Sequence, residues 1–471
     1  MTVWREWSAA RTVTRRQAIA ALVAAIALAA GLVLAPGVAV ACVAGVFTLC
    51  FVATTTMRIA YFSRGHGVED LIVPASTRRA PRYSVMVPLY HEARVVPKLL
   101  DALEALDYPR DRLEVLVLVE HDDPVTRRAC ERHLREGWQI IDVPPGFPRT
   151  KPRALNVGLE VLTGELLTIY DAEDRPEPDQ LRRAVQAFDA LPDEVASLQA
   201  RLDFYNSRQN VLTRWFACEY ATHFGLYLEG ISRYGHAMPL GGTSTHFRTE
   251  AVRRVGGWDA WNVTEDCELG MRLAAAGYAS RTLDSTTHEE AVPVLRAWIR
   301  QRSRWVKGFA QTALAMTRAP IRTARAMGVR RYLAALVTVA GVPVVLMSQL
   351  VFWVLLWLYA GLRAAGADVH WIEAAFPAPL LMLGMLLLLV GNFAVLLAHV
   401  SAVYQQERYD LVRYSLLLPA YWLLASLGAW KGVSQLVSRP HFWEKTSHGL
   451  AVEPAAPVAG PVAAVPAQGG S

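Results

Sequence analysis

The chain has 471 residues, a formal net charge of +6, 53% hydrophobic residues and 19% charged residues. Soluble domains carry about 25% charged residues, so this composition indicates a membrane protein with more than one domain. No array of basic and aromatic residues indicates nucleic-acid binding, and the positive charge is attributed to membrane topology and an anionic substrate. The five cysteines show neither metal-ligand spacing nor a disulfide framework, which suits a reducing compartment.

The first apolar block spans residues 17–56, which carry no charged side chain. This length suits two membrane-crossing helices, and Pro36 lies at the midpoint, where a tight turn belongs. A secretory signal peptide is the alternative because Arg15 and Arg16 precede the block, but the apolar core of a signal peptide is shorter. Residues 1–70 are therefore predicted to form a two-helix transmembrane hairpin.

Arginines flank this hairpin on both sides, at positions 5, 11, 15 and 16 before it and at positions 58 and 64 after it. The positive-inside rule then places both ends of the hairpin in the cytoplasm. The sequence therefore predicts a multi-pass protein of the plasma membrane whose middle domain is cytoplasmic.

Strands and helices alternate from residue 80 to residue 290. Strands are predicted at residues 83–90, 113–120, 138–143 and 166–171, and helices at residues 95–106 and 151–162. This alternation predicts an α/β domain with a mostly parallel sheet, whose ligands bind at the carboxyl ends of the strands.

The second apolar block, residues 331–449, is predicted to be a C-terminal transmembrane region with about three crossings, and a fourth is the alternative. Its apolar stretches are residues 333–362, 375–400 and 414–437. Pro343 is expected to interrupt the first of them. The tail, residues 450–471, is rich in Ala, Pro, Gly and Val and is predicted to be disordered.

The predicted strand at residues 166–171 leads into an acidic segment, IYDAED, which contains Asp171, Glu173 and Asp174. Carboxylates crowded at a strand end repel one another unless a cation is present. With open coordination positions they suit Mg²⁺ or Mn²⁺ shared with a diphosphate. The alternative is a solvated acidic turn, because prolines follow directly.

The segment NVTEDCELG places Asp266 near the start of a helix, where a general base would be kept ionised. A structural interpretation is equally available. Acids in a first turn complement the helix dipole, and Asn262 with Glu265 resembles a capping box.

The segment TKPRALNVG places Lys151, Arg153 and Asn156 at a loop-to-helix junction, where side chains and helix N–H groups can hold a phosphate. The alternative is an ordinary surface helix start with proline in its first turn.

Residues 291–330 are predicted to form interfacial helices, and the segment LRAWIRQRSRWVKGFAQT has two faces. One narrow helical sector holds Trp298, Gln301, Trp305 and Gly308, with Arg304 at its edge. This sector is a poor lipid face but a suitable wall for a polar, ring-shaped ligand. Arg296, Arg300 and Lys307 lie opposite and are predicted to face the membrane surface or solvent.

These segments, in this order, resemble the family 2 glycosyltransferases, and more narrowly the membrane-embedded processive synthases of cellulose, hyaluronan, curdlan and mixed-linkage β-glucan. The family's QxxRW, TED and DxD motifs resemble residues 301–305, 264–266 and 171–173. Its KAGxLN-like segment resembles residues 151–156, and its nucleotide-binding opening resembles residues 87–92. The resemblance covers about residues 15–450.

The resemblance implies a GT-A fold and inverting transfer from a nucleotide sugar, most often UDP-glucose or UDP-N-acetylglucosamine, with Mg²⁺ or Mn²⁺. It implies donor contacts at Pro88, Tyr90, Glu92, Glu120, Asp122, Lys151 and Asn156. It implies metal ligands at Asp171, Glu173 and Asp174, although Glu173 replaces the usual second Asp. Asp266 would be the base, with Glu265, Gln301, Arg304 and Trp305 around the acceptor and the leaving group.

Three functions stay open at this point. The first is processive synthesis of a β-linked polysaccharide coupled to its translocation across the bilayer. The second is single transfer to a membrane lipid acceptor, and the third is a non-catalytic membrane subunit of a glycan export complex. Export or regulatory subunits, including any sensor of cyclic dinucleotides, would be separate chains.

Overall fold

The computed structural model describes residues 6–65, 79–375, 378–444 and 449–450. The predicted disordered tail lies outside the described residues apart from residue 450, as do parts of the predicted N-terminal domain.

Eight strands form one mixed sheet, in the order β3-β2-β1-β4-β7-β6-β8-β5. The strands are β1 (Tyr83–Leu89), β2 (Leu113–Glu120), β3 (Gln139–Val143), β4 (Leu166–Ile169), β5 (Arg175–Pro176), β6 (Val195–Phe204), β7 (Thr245–Arg248) and β8 (Ala279–Glu289). Within the described chain, β7 and β5 run antiparallel to their neighbours, and the other pairings are parallel. Every residue of β2 is buried, as expected of a parallel strand that is covered on both faces.

Helices pack on both faces of this sheet and connect its strands. The helices that follow the first strands are α3 (Val96–Glu104), α4 (Pro124–His133), α5 (Lys151–Val161), α6 (Gln180–Ala190), α7 (Val211–Thr222), α8 (Leu228–Tyr234), α9 (Thr249–Val255) and α10 (Glu265–Ala275). Two buried apolar clusters fill the space between the sheet and the helices.

Helices flank this domain in the chain on both sides, and several of them are long and apolar. The N-terminal ones are α1 (Arg15–Leu34) and α2 (Pro36–Gly65), which meet at the predicted turn. The C-terminal ones are α11 (Leu295–Met316), α12 (Pro320–Met327), α13 (Val329–Ala364), α14 (His370–Ala375), α15 (Ala378–Leu386), α16 (Asn392–Gln405), α17 (Val412–Ser415) and α18 (Leu418–Ser438). The predicted fold class, an α/β domain of GT-A type flanked by apolar helices, is confirmed.

By length and composition, four described segments can cross a membrane: Arg15–Leu34, Pro36–Gly65, Val329–Ala364 and Met382–Gln405. The pair Tyr409–Ser415 and Leu418–Ser438, bent by 64°, makes a fifth if it counts as one span. The expected interruption at Pro343 does not occur, because α13 continues through this residue. The domain boundaries and the number of crossings stay predictions.

The C-terminal half of α2 packs against the α/β domain at backbone distance. A Cβ atom at Gly230 in α8 would overlap the backbone carbonyl of Tyr61, and one at Gly65 would overlap the carbonyl of Leu226. Tyr61 itself is only 1% exposed. The absence of side chains at these glycines therefore lets an apolar helix dock directly on the sheet-bearing domain.

Gly230→Ala should destabilise the protein by about 1–3 kcal/mol, because the added methyl group has to push two backbones apart. Thermal unfolding of the purified protein in detergent should show a lower melting temperature. Gly45→Ala in α2 is the matched control, since a Cβ atom there meets nothing within 4 Å. Alanine favours helices over glycine, so this control should keep or raise the melting temperature. Equal melting temperatures for the two variants would contradict the backbone contact.

Candidate active site

A cavity of about 590 Å³ lies at the carboxyl ends of β1, β2 and β4 and continues between α2, α13, α16 and α18. Most of the predicted site residues line it. They are Pro88, Tyr90, Glu92, Glu120, Lys151, Asp171, Glu173, Glu265, Asp266, Gln301, Arg304 and Trp305. One chamber therefore collects side chains from six separate segments of the sequence.

Three predicted site residues lie outside the cavity lining. Asp122 forms an ion pair of 2.5 Å with Arg149. Asn156 is directed to the backbone of Trp258, to which its Nδ2 atom donates and from which its Oδ1 atom accepts, both at 2.8 Å. Asp174 is fully buried behind the lining. For Asn156 this geometry indicates a loop-anchoring role instead of the predicted donor contact.

Asp266 and Glu265 begin α10, and both face the cavity. The Oδ1 atom of Asp266 accepts a hydrogen bond of 2.7 Å from the Cys267 N–H. The expected capping box is absent from this turn, because Asn262 accepts a hydrogen bond of 3.0 Å from the Thr264 N–H instead. The two acids therefore do not cap the helix, and their side chains are available to a ligand in the cavity.

The carboxyl groups of Glu265 and Asp266 are neighbours, but different groups act on the pKa of each. Burial and then the adjacent Asp266 charge raise the pKa of Glu265 to about 8. Burial also raises the pKa of Asp266, but the Cys267 N–H, Lys151 and Arg304 oppose the increase. Near neutral pH, Glu265 therefore holds its proton, whereas the Cys267 N–H, Lys151 and Arg304 all favour the ionised form of Asp266.

Lys151 places its ammonium group in the middle of this chamber. Its Nζ atom donates to the Oδ1 atom of Asp171, and to the Gly242 carbonyl at 2.6 Å. Burial alone would lower the pKa of Lys151, but Asp171 and Glu265 outweigh it and the pKa is raised. A Cβ atom at Gly242 would lie 3.0 Å from the Asp266 carboxylate. The Gly242 backbone, which accepts the hydrogen bond from Lys151, therefore also passes close to the predicted base.

Four carboxylates crowd the end of the cavity nearest the sheet: Asp171, Glu173, Asp174 and Glu289. The Oδ2 atom of Asp174 accepts hydrogen bonds from the Asp171 N–H at 2.7 Å and from the Thr243 hydroxyl. Burial, followed by the charges of Asp171 and Glu173, raises the pKa of Asp174 well above its usual value. The pKa of Glu289 is raised by burial first and by Asp174 second.

Two carboxylate oxygens of this group, Oδ1 of Asp174 and Oε1 of Glu289, have no hydrogen-bond partner within the described chain. Buried oxygens without partners beside further carboxylates fit a divalent cation. The predicted trio of Asp171, Glu173 and Asp174 does not itself form a compact ligand set. Across the described ranges, the group of three that brings its ligand atoms within 4.8 Å of one another is Glu120, His121 and Asp122.

Helix α11 brings Gln301, Arg304 and Trp305 to the cavity wall. The guanidinium carbon of Arg304 lies 4.7 Å from the ring centroid of Trp443, which also lines the cavity. A Cβ atom at Gly308 would overlap the side chain of Thr264, the residue that precedes the acidic pair. Helix α11 is therefore seated directly on the turn that carries Asp266.

The prediction for the opposite face of α11 is wrong for Lys307. This side chain is fully buried, and its Nζ atom donates a hydrogen bond of 2.7 Å to the Phe442 carbonyl. Burial lowers the pKa of Lys307 to about 8. Arg296 is exposed and Arg300 is half-buried, as the helical pattern predicted. Periodicity alone cannot identify Lys307 as buried, because the segment that covers it lies far away in the sequence.

Several cavity residues escaped the sequence analysis: Glu219, Glu289, Arg302, Tyr421 and Trp443. Glu289 is the last residue of β8, so an acid at the end of a strand was an available signal. The others belong to helices and loops whose positions depend on tertiary packing, and no local pattern indicates them.

Residues 166–395 match the family model described as Glycosyl transferase family group 2. The probable glycosyltransferase YdaM of Bacillus subtilis is 28% identical over 236 residues, which are 49% of this chain and 56% of that protein. Glucomannan 4-beta-mannosyltransferase 2 of Arabidopsis thaliana is 31% identical over 240 residues, which are 48% of this chain and 44% of that protein. The chain thus spans about half the length of these curated relatives.

Among solved structures, the mannosyltransferase PcManGT of Pyrobaculum calidifontis in complex with GDP-Man and Mn²⁺ is 22% identical, with a TM-score of 0.47. That comparison covers 80% of this chain and 98% of the other. Residues 166–395 therefore carry the sequence pattern of glycosyl transferase family group 2, the family in which the predicted glycosyltransferase class is found.

Proposed function

We propose that this protein is an inverting glycosyltransferase that transfers a sugar from a nucleotide-sugar donor to a growing β-linked glycan and passes the product into the membrane. The observation that carries the proposal is the continuity of the cavity. At one end it is lined by Asp266, Lys151 and a group of carboxylates, and at the other by apolar helices. Relatives named glucomannan 4-beta-mannosyltransferases support β-glycan synthesis.

The chemistry follows from the charges at the sheet end of the cavity. Asp266 accepts the proton of an acceptor hydroxyl while that oxygen attacks the anomeric carbon of the donor. The bond from this carbon to the diphosphate breaks, and the diphosphate leaves with the electron pair. Lys151 and Arg304 stabilise the charge that develops on the leaving group. Attack opposite the leaving group inverts the anomeric centre.

A divalent cation, Mg²⁺ or Mn²⁺, would add positive charge beside the diphosphate when bound. Asp171 and Glu173 would hold it, with Glu289 in place of the buried Asp174. The Oε1 atom of Glu289, which has no hydrogen-bond partner within the described chain, supports this assignment.

The donor nucleoside is proposed to lie over the ends of β1 and β2, where Pro88, Tyr90, Glu92 and Glu120 line the cavity. Glu120 is held by Arg153 through an ion pair of 2.7 Å. UDP-sugars are the donors expected from the family resemblance. The relatives named mannosyltransferases add a mannosyl nucleotide, GDP-mannose, as the second donor to test.

Polar side chains at the membrane end of the cavity support passage of a hydroxyl-rich product. Gln349 in α13 is only 5% exposed and lines the cavity, and its amide makes no hydrogen bond within the described residues. The Nδ2 atom of Asn392 in α16 also has no partner there. Uncompensated amides inside membrane helices are costly and usually mark a polar pathway. Sugar hydroxyls would satisfy them, whereas a lipid tail would not.

The catalytic domain is proposed to lie on the cytoplasmic side of the plasma membrane. Arg15 and Arg16 begin α1, and Arg64 lies in the last turn of α2, so the positive-inside rule favours both ends of this hairpin on the side where nucleotide sugars are made.

Purified protein in detergent, supplied with UDP-glucose, UDP-N-acetylglucosamine or GDP-mannose and with Mg²⁺ or Mn²⁺, tests the proposal. A long, water-soluble or insoluble glycan from one donor is the expected product, and its linkage should be β. A labelled chloroform-soluble product carrying one sugar would instead identify a lipid acceptor. No transfer from any donor would reject the proposal and favour a non-catalytic subunit.

Asp266→Asn should lower the transfer rate by about 100- to 10,000-fold, the usual contribution of a general base. The donor nucleotide should bind within twofold of wild type, since asparagine keeps the side-chain shape. Initial rates and calorimetric titration with the nucleotide measure the two effects. Asp111→Asn is the control, because the Asp111 side chain is 74% exposed and distant from the cavity. A rate for Asp266→Asn close to that of this control would remove Asp266 from the mechanism.

Gln349→Leu and Asn392→Leu should shorten the product severalfold while transfer of the first sugar continues, because the amides act on the chain after its synthesis. Gel filtration of radiolabelled product at equal donor turnover gives the length distribution. Ser348→Ala is the matched control, since this neighbouring hydroxyl bonds to the Val345 carbonyl at 3.1 Å and does not line the cavity. An unchanged length distribution in both leucine variants would argue against a product path between these helices.

Glu265 should make the stability of the protein depend on pH. Its pKa rises from 4.5 to about 8 on folding, so its protonated form stabilises the folded state. This contribution is complete below pH 4.5 and is lost as the pH rises through about 8. Glu265→Gln lacks a titrating group, so the melting temperature of wild type minus that of the variant should fall between pH 5 and pH 9. The exposed Glu160→Gln serves as the control, and a difference that rises with pH would contradict the assigned proton.

A further inference from the structure

Arg302 occupies a position of α11 between the predicted contacts Gln301 and Arg304, and its side chain bonds to α7 and α18. Its Nη1 atom donates to the Oε1 atom of Glu219 in α7 at 2.8 Å, and its Nη2 atom donates to Oε2 of the same carboxylate. Nη2 also donates to the Tyr421 hydroxyl in α18 at 2.7 Å. The Tyr421 hydroxyl in turn donates to Glu219 Oε2 at 2.5 Å. These bonds join three helices at one guanidinium group.

The same guanidinium group lies over aromatic rings. Its central carbon is 4.4 Å from the ring centroid of Trp305 and 4.6 Å from that of Phe216. The rings of Trp298 and Tyr421 are also close, at 5.1 and 5.6 Å. Trp305 therefore has a cation on one face, and its half-buried ring borders the cavity.

The charges in this cluster are fixed. Burial would raise the pKa of Glu219, but the Arg302 guanidinium and the Tyr421 hydroxyl outweigh it and lower the pKa. The side chain of Arg302 is 9% exposed. A buried ion pair adds little net stability compared with apolar side chains of the same shape, so stability alone does not account for it. A planar guanidinium group that is held by two parallel hydrogen bonds does, however, fix the orientation of an aromatic ring that stacks on it.

We propose that Arg302 is a positioning residue, which holds the Trp305 ring at the angle required to bind an acceptor sugar and connects that ring to Glu219 and Tyr421. The inference rests on the proposed function, since it assigns Trp305 to the acceptor. A sugar ring presents C–H groups to an aromatic face, so a tilt of Trp305 weakens this contact. The hydrogen bonds of the Arg302 guanidinium group go to Glu219 and Tyr421 and not to the residues proposed to hold the donor.

Arg302→Lys is the informative substitution, because lysine keeps the positive charge but loses the planar fork and the stacking surface. The probes are β-1,4-mannopentaose and cellopentaose, titrated calorimetrically into the full chain without donor, together with UDP and GDP. We expect the pentasaccharide that wild type binds more tightly to lose about tenfold in affinity, a typical effect of a cation–π contact with its geometry. Nucleotide affinity should stay within twofold, and in turnover the acceptor KM should rise more than kcat falls.

Glu219→Gln provides a second variant, which retains the stacked guanidinium but loosens its fork. It should weaken pentasaccharide binding by about threefold. The double variant should lose less pentasaccharide affinity than the product of the two single effects, because the two residues act through one contact. Arg300→Ala, on the outer side of the same helix, should change neither the pentasaccharide affinity nor the nucleotide affinity. Melting temperature and gel filtration establish that each variant is folded.

The inference is overturned if folded Arg302→Lys and Glu219→Gln bind the pentasaccharide as tightly as wild type does. It is also overturned if both variants lose nucleotide affinity to the same degree, since a general disturbance of the site would then explain the loss. Failure of the proposed function has a different signature, which is that wild type itself transfers no sugar from any nucleotide donor.

Discussion

The arrangement of the molecule depends on negative charges that are confined in a buried chamber. Asp171, Glu173 and Glu289 line the same cavity as Asp266, and all four residues are half-buried. Lys151 balances part of this charge from within the protein. A chamber built in this way favours a ligand that brings cations with it. The sheet and its loops hold these repelling groups together.

Under the proposed function, helix α11 supplies the acceptor wall of that chamber. One side of the helix rests on the acidic turn through Gly308, and the other side binds α7 and α18 through Arg302. Between these contacts, Gln301 and Trp305 face the cavity. A single helix thus joins the α/β domain, the acceptor wall and the last long apolar helix, and the basic character of its sequence reflects buried contacts as much as a membrane surface.

Much of the fold and of the cavity lining was predictable from the sequence because both depend on local patterns. The apolar run of β2 and the acids near Asp171 follow from strand periodicity and from residue types at strand ends. The remaining features depend on partners that are distant in sequence. Lys307 donates a hydrogen bond to the carbonyl of Phe442, and Asn156 donates one to the carbonyl of Trp258. Neither partner can be identified before the chain has folded.

The contact between Gly308 and Thr264 has a mechanical consequence. A helix without a side chain at this point lies directly against the Thr264 side chain, in the space that a Cβ atom would fill. We therefore expect a displacement of α11 to carry the Asp266 turn along, so that the distance between the proposed acceptor wall and the proposed base changes little. In the proposed processive reaction, the stepwise advance of the glycan would then come from motion of the sugar chain itself or of the surrounding apolar helices.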